Sequence, residues 1–147
     1  MDNEQVYGER ASSVIGLLHS GIQFYRDGIQ KAVHPHIQAM FRRMLDEKER
    51  AIIMLSPFLP SNDTQHAPSH LVTSFRQRYT QVITTFSDEP DNTYINELTR
   101  IESSVLDSID DALDKVDTGR FANELRCIRT RMQQCFDEML SLSNAVE

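Results

Sequence analysis

The stretch INELTRIESSVLDSIDDALDKV, residues 95–116, decides the fold class, because Ile95, Leu98, Glu102, Val105, Ile109, Ala112 and Val116 recur at alternating spacings of 3 and 4. That period is the inward seam of a bundled α-helix. Every member is apolar except Glu102. An ionised carboxylate buried in a helix bundle is costly unless it is paired with a base or binds a metal. Something is therefore expected to meet Glu102.

The same period runs outward in both directions. Ala11, Ile15, Leu18, Ile22, Tyr25, Ile29 and Ala32 predict a first helix over about 5–32. Gly16, Gly21 and Gly28 interrupt its propensity, each by about 1 kcal/mol against alanine, and fit close approach by a neighbouring helix. His34-Pro35 then allows a sharp reversal, since proline suits the first turn of a helix. A second helix over about 36–55 carries Ile37, Met40, Phe41, Met44, Leu45, Ala51, Ile52, Met54 and Leu55, but is polar from Asp46 to Arg50, so Glu47 or Lys48 falls on its inward face.

A linker rich in Pro, Asn and Ser (56–68) precedes a shorter helix over about 69–86, with Val72, Phe75, Tyr79, Val82 and Phe86. The Asp-rich break 88–92 leads into the helix over about 93–116 that holds Glu102. Asp117-Thr118-Gly119 forms a tight connection, and Phe121, Leu125, Ile128, Met132, Cys135, Met139 and Leu142 make the seam of a last helix over about 121–144. No strand pattern competes.

The expectation is an all-α single domain, 1–147, of four long helices in two antiparallel pairs. The short helix, about 18 residues and roughly 27 Å long, returns the chain along the bundle between the pairs. That arrangement is the up-down-down-up, single-crossover topology of ferritin-like four-helix bundles. A sequential five-helix up-and-down array is the alternative.

Two further stretches then resemble a family of uncharacterised bacterial ferritin-like proteins: GIQFYRDGIQKAV followed by HPHIQAMFRRMLDEKERAIIML, and DEPDNTYINELTRIE with Glu97 and Glu102 five apart. The resemblance runs from about Leu17 to Leu142. It implies a di-metal site built from one carboxylate on each of two helices and a Glu-x-x-His pair on each of the other two. Glu102 matches the single carboxylate of the third long helix, and Glu47 the glutamate of the second. Arg50 stands where a histidine would follow Glu47, Gln133 and Phe136 stand where the last pair would be, and the first helix offers Leu18, Ser20 and Ile22. The implied site is therefore degenerate, with Glu47 and Glu102 as vestigial metal candidates. The expected substitute is a structural ion pair of Glu102 with Lys48 or Arg50, Lys48 being preferred. One weak carboxylate metal site and simple exposure of Glu102 are the other readings.

Composition narrows the function classes. A formal charge of −7 and a pI near 5.2 argue against general affinity for nucleic acid or anionic membrane. Acid is concentrated over 88–117, where ten carboxylates face only Arg100 and Lys115, a pattern that ordinarily marks a solvated helix face. The start MDNEQVYGER carries no leader pattern, so a cytoplasmic location is expected. Cys127 and Cys135 lie about 12 Å apart along one helix, too far for a disulfide with each other. His19 on a helical bundle raises a histidine phosphotransfer reading, but Ser20-Gly21-Ile22 follows it rather than the usual lysine and glycine.

The functional expectation is a non-enzymatic structural, interaction or stress-related bundle protein with no metal, no cofactor and no nucleic-acid or membrane partner. Surplus apolar positions on the first two helices, Val14, Leu17, Phe24, Met40 and Met54, lead to the expectation of a homo-oligomer, a dimer first, with a protein partner also possible.

Overall fold

The seam around Glu102 lies in a helix that packs on three others and closes the core from one side. The computed structural model describes residues 2–32, 34–59, 70–88, 92–116 and 119–145. All regular structure among them is helical: α1 (Asp2–His19), α2 (Ile22–Lys31), α3 (Pro35–Leu55), a 3-10 turn at Ser56–Phe58, α4 (His70–Asp88), α5 (Asn92–Asp114) and α6 (Arg120–Ala145). Of the linker expected over 56–68, Ser56–Phe58 form the 3-10 turn and 60–68 fall outside the described residues; of the break expected over 88–92, Asp88 ends α4 and Asn92 begins α5, and 89–91 fall outside, as do residues 117–118 of the tight connection and the side chain of Phe86.

Local chemistry accounts for the ends. Pro35 occupies the first turn of α3, and the Nδ1 of His34 accepts from the His36 backbone N–H at 3.3 Å, which caps the helix start. Gly119 takes φ 103°, a left-handed conformation that side chains disfavour, and it sits where the chain reverses into α6.

The single helix expected over about 5–32 is two helices. Ser20 donates from its hydroxyl to the Leu17 carbonyl at 2.5 Å, and its N–H is shared between the Gly16 and Leu17 carbonyls at 3.1 and 3.3 Å. Serine competing for helix carbonyls in this way loosens a helix locally. Beside it Gly21 has no room for a side chain: a Cβ there would lie 2.6 Å from Cζ of Tyr79. The break is thus where α4 presses a tyrosine into the first helix.

The seams meet in one continuous core, with Ile29, Ala112 and Leu142 only partly buried at its edge. Ile95, Leu98, Val105, Ile109 and Val116 are buried on the α5 side, as are Phe121, Leu125, Ile128, Met132, Cys135 and Met139 on α6. α3 packs against α1, α2 and α6, α5 packs against α6, α4 and α1, and α4 lies on α1, α2 and α5. The apolar positions that appeared surplus are absorbed by the chain itself. Val14, Leu17, Phe24 and Met40 are buried and provide no surface for a dimer, while Met54 is half-buried against the core. Part of the reason is α4, whose Tyr79 ring centre lies 5.7 Å from that of Phe24. Among the described residues, no helix is long and apolar enough to cross a membrane.

A buried Lys-Glu-Tyr-Tyr cluster as the candidate functional site

Four helices each contribute one polar side chain to a single point in the core: Tyr25 from α2, Lys48 from α3, Tyr79 from α4 and Glu102 from α5. Their exposures are 0%, 0%, 2% and 1%. Lys48 reaches this point because it occupies a seam position, in line with Ile37, Phe41, Met44, Ala51 and Leu55, all of which are buried. Glu102 does so for the same reason on α5.

The geometry leaves little unpaired. Lys48 Nζ donates to Glu102 Oε1 at 3.1 Å and approaches the Tyr79 hydroxyl at 3.4 Å. The other carboxylate oxygen, Oε2, accepts from the Tyr25 hydroxyl at 2.5 Å and from the Tyr79 hydroxyl at 2.7 Å. Hydroxyl donors this close are typical of an ionised acceptor. The ammonium also stands 5.8 Å from the centres of both tyrosine rings, within the range of cation–π attraction. With one cation and one anion the cluster is neutral, which is the condition for charge to be tolerated in a dry core.

Burial raises the ionisation of Tyr25 and Tyr79 well above the usual tyrosine range, and the neighbouring Glu102 carboxylate raises it further. Both hydroxyls therefore remain protonated donors throughout the neutral range. Phe24 and Phe41 complete the surround: Tyr25 meets Phe24 edge-on at 5.1 Å and Phe41 edge-on at 5.4 Å. Phe41 fits because Gly28 leaves space, a Cβ at that position lying 2.7 Å from the ring.

The remaining residues singled out in the sequence are elsewhere. Glu47 points toward α6, where Arg131 holds it in a fork, Nε to Oε2 at 2.8 Å and Nη2 to Oε1 at 2.7 Å. Arg50 is exposed. Gln133 accepts from Arg129 at 2.7 Å and donates to Asp137 at 2.9 Å, and Phe136 packs on the core. His19, His34 and His36 are exposed, and the side chains of His66 and His70 lie outside the described residues. Cys127 is exposed and Cys135 buried; burial, with the Glu47 and Glu138 carboxylates adding, pushes the Cys135 thiol up to about 11.

A di-metal centre does not fit this donor set. A cation already lies against one oxygen of Glu102 and two hydroxyl donors against the other, while Glu47 is committed to Arg131. Among the described residues no group of three or more His, Cys, Asp or Glu side chains is gathered as metal ligands would be. What the arrangement can do chemically is hold four helices in one register through Glu102: a shift of α5 costs each of α2, α3 and α4 a hydrogen bond, and α3 and α4 are further joined by Lys48 and the Tyr79 hydroxyl.

Sequence reasoning missed the two tyrosines. Tyr25 counted as one more seam position and Tyr79 as one more apolar residue of an amphipathic helix. The available signal was the hydroxyl itself, since a tyrosine buried at a seam position must find a polar partner.

No curated protein and no solved structure matches the chain. A family model does match, over residues 12–115, a span that includes Tyr25, Lys48, Tyr79 and Glu102. The chain therefore belongs to the family described as Domain of unknown function (DUF2383).

Proposed function

We propose that this protein is a ferritin-like bundle of up-down-down-up topology in which the Lys48–Glu102–Tyr25–Tyr79 cluster stands where such bundles carry a di-metal centre, and that it serves as a non-enzymatic structural or interaction protein. The observation that carries this reading is the double use of Glu102: one oxygen faces an ammonium and the other two hydroxyls, all at most 2% exposed.

Packing supports the topology. Residues 43 and 47 of α3 meet residues 138 and 131 of α6, in opposite order. On α1–α2, Tyr25 meets Glu102 while Arg10 and Leu17 share a hollow with Ser108 and Lys115, again in opposite order. Gly16 against Val72 and Gly21 against Tyr79 run in the same order, as a crossover helix beside the first helix would. A sequential five-helix array would pack α3 broadly on α4, whereas the extensive neighbours of α3 are α1, α2 and α6.

The test is metal loading of protein purified without chelator, followed by elemental analysis and an oxygen-uptake assay with ferrous iron. Well below two metals per chain and no oxygen-dependent iron oxidation are expected. Stoichiometric binding of two irons, abolished by Glu102→Ala, would overturn the reading.

A further inference from the structure

The cluster is closed to solvent, and the ring of Tyr79, itself 2% exposed, forms part of the floor of a pocket of about 620 Å³ between α2, α3 and α4, with His19 at the end of α1 on its rim. That volume falls within the range of small-molecule sites. Ile52, Ile53 and Ile83, with Phe24 behind them, supply its apolar wall, beside polar residues such as Gln23 and Thr80. Ile53 is 72% exposed, a large apolar side chain left in water at the edge of the pocket.

The charges around these walls have a sign. Arg26 and Arg76 line the pocket with a single carboxylate, Glu49. Glu49 lies 3.8 Å from Arg26, near the limit of an ion pair, with both side chains about half exposed at 45% and 55%, so the pair is weak and open to competition. Arg76 is exposed on α4. Two guanidinium groups against one carboxylate leave a local positive excess on a chain whose formal charge is −7. Guanidinium matches a carboxylate in two-point geometry, and an apolar wall beside it accepts a hydrocarbon chain.

We propose that this pocket binds a small amphipathic carboxylate, its head on Arg76 and Arg26 and its apolar chain against Phe24, Ile52 and Ile53. The proposal does not depend on the absence of a di-metal centre. Because Tyr79 lines the pocket and its hydroxyl holds Glu102, occupancy should change the tyrosine emission, to which Tyr79 contributes one of four rings and no tryptophan adds.

Titration of the full chain with octanoate, followed by calorimetry and tyrosine fluorescence, tests it. Saturable binding of one octanoate per chain is expected, with acetate, which lacks the chain, and 1-octanol, which lacks the charge, each weaker by about tenfold or more. Arg76→Gln and Ile53→Asp alter exposed residues and leave the helical circular dichroism unchanged; each should weaken octanoate by about fivefold to tenfold. The proposal is overturned if octanoate binding does not saturate, if 1-octanol binds as well as octanoate, or if Arg76→Gln leaves the affinity unchanged.

Discussion

Glu47 and Lys48 are adjacent on α3, and each is half of an ion pair of ordinary length, yet the two pairs belong to different physical regimes. Glu47 meets Arg131 at 2.7 Å with side-chain exposures of 16% and 36%, so water solvates either partner if the other is removed. Lys48 meets Glu102 at 3.1 Å with exposures of 0% and 1%, so no water replaces a lost partner. One residue of helix rotation separates a pair that trims the surface from one on which the core depends. Distance alone does not rank ion pairs; the fate of the abandoned charge does.

The largest expected effect follows from that difference. Glu102→Ala leaves an ammonium and two hydroxyls buried without their acceptor, and the cost should be about 3 to 5 kcal/mol, read from urea denaturation at neutral pH. A loss no larger than that of a surface substitution would erase the contrast between the two pairs.

Alkaline pH attacks the inner cluster, together with the buried Cys135 thiol, whose folded value of about 11 also lies above its unfolded one. Tyr25 and Tyr79 ionise in the unfolded chain near pH 10 but well above that when folded. Where the folded value is the higher one, the unfolded state releases its protons first. The stabilisation is therefore complete below about pH 10 and is lost as pH rises toward the folded values, by about 1.4 kcal/mol per pH unit for each tyrosine. Denaturation midpoints collected from pH 8 to 11 should fall steeply from about pH 10, and the fall should be shallower in Tyr79→Phe. An unchanged slope in that variant would remove Tyr79 from the explanation.

A smaller effect is expected at the notch that admits Tyr79. Gly21→Ala places a Cβ 2.6 Å from the ring, which must move away and draw its hydroxyl from Glu102. Gly21 is the N-cap of α2, where alanine is a poorer cap than glycine, and the overpacking adds about 1 to 3 kcal/mol. A net loss of stability, with altered near-ultraviolet dichroism from the tyrosines, is the expected result; a more stable variant with an unchanged tyrosine spectrum would show that the notch is not tight.

At the outer pair, Arg131→Ala should move the denaturation midpoint by only a small fraction of the Glu102→Ala shift. Equal shifts would mean that the Glu47 pair also sits in a regime where water cannot enter.

The parts of this architecture that were legible in the sequence are those encoded by period. Seams at spacings of 3 and 4 mark where α3, α5 and α6 turn inward, and a charged residue standing in such a seam, as Glu102 does on α5, is visible because it violates its neighbours. Lys48 stands in the same kind of violation, in line with Phe41, Met44, Ala51 and Leu55, whereas Arg50 is off that line and exposed. The tyrosines were not visible in this way, because a buried aromatic satisfies an apolar pattern and its hydroxyl leaves no trace in the period. The division of the first helix at Ser20 was equally hidden. Ser20 and Gly21 loosen the helix locally, but what takes up the gap is Tyr79, about sixty residues away, and a tertiary contact of that separation has no local signature. The same holds for Phe24 and Met40, which read as surplus apolar surface until α4 and the packed core account for them.

The contrast between inner and outer pair is tested most directly by a double-mutant cycle between positions 48 and 102. Lys48→Met, Glu102→Leu and the combined variant are compared with the parent chain by urea denaturation at neutral pH. Each single change should cost about 3 to 5 kcal/mol, because it strands one buried charge. The combined variant should recover most of that loss, short of full recovery because Tyr25 and Tyr79 lose their shared acceptor. Losses that simply add, within about 0.5 kcal/mol, would contradict the claim that Lys48 and Glu102 hold each other in the core.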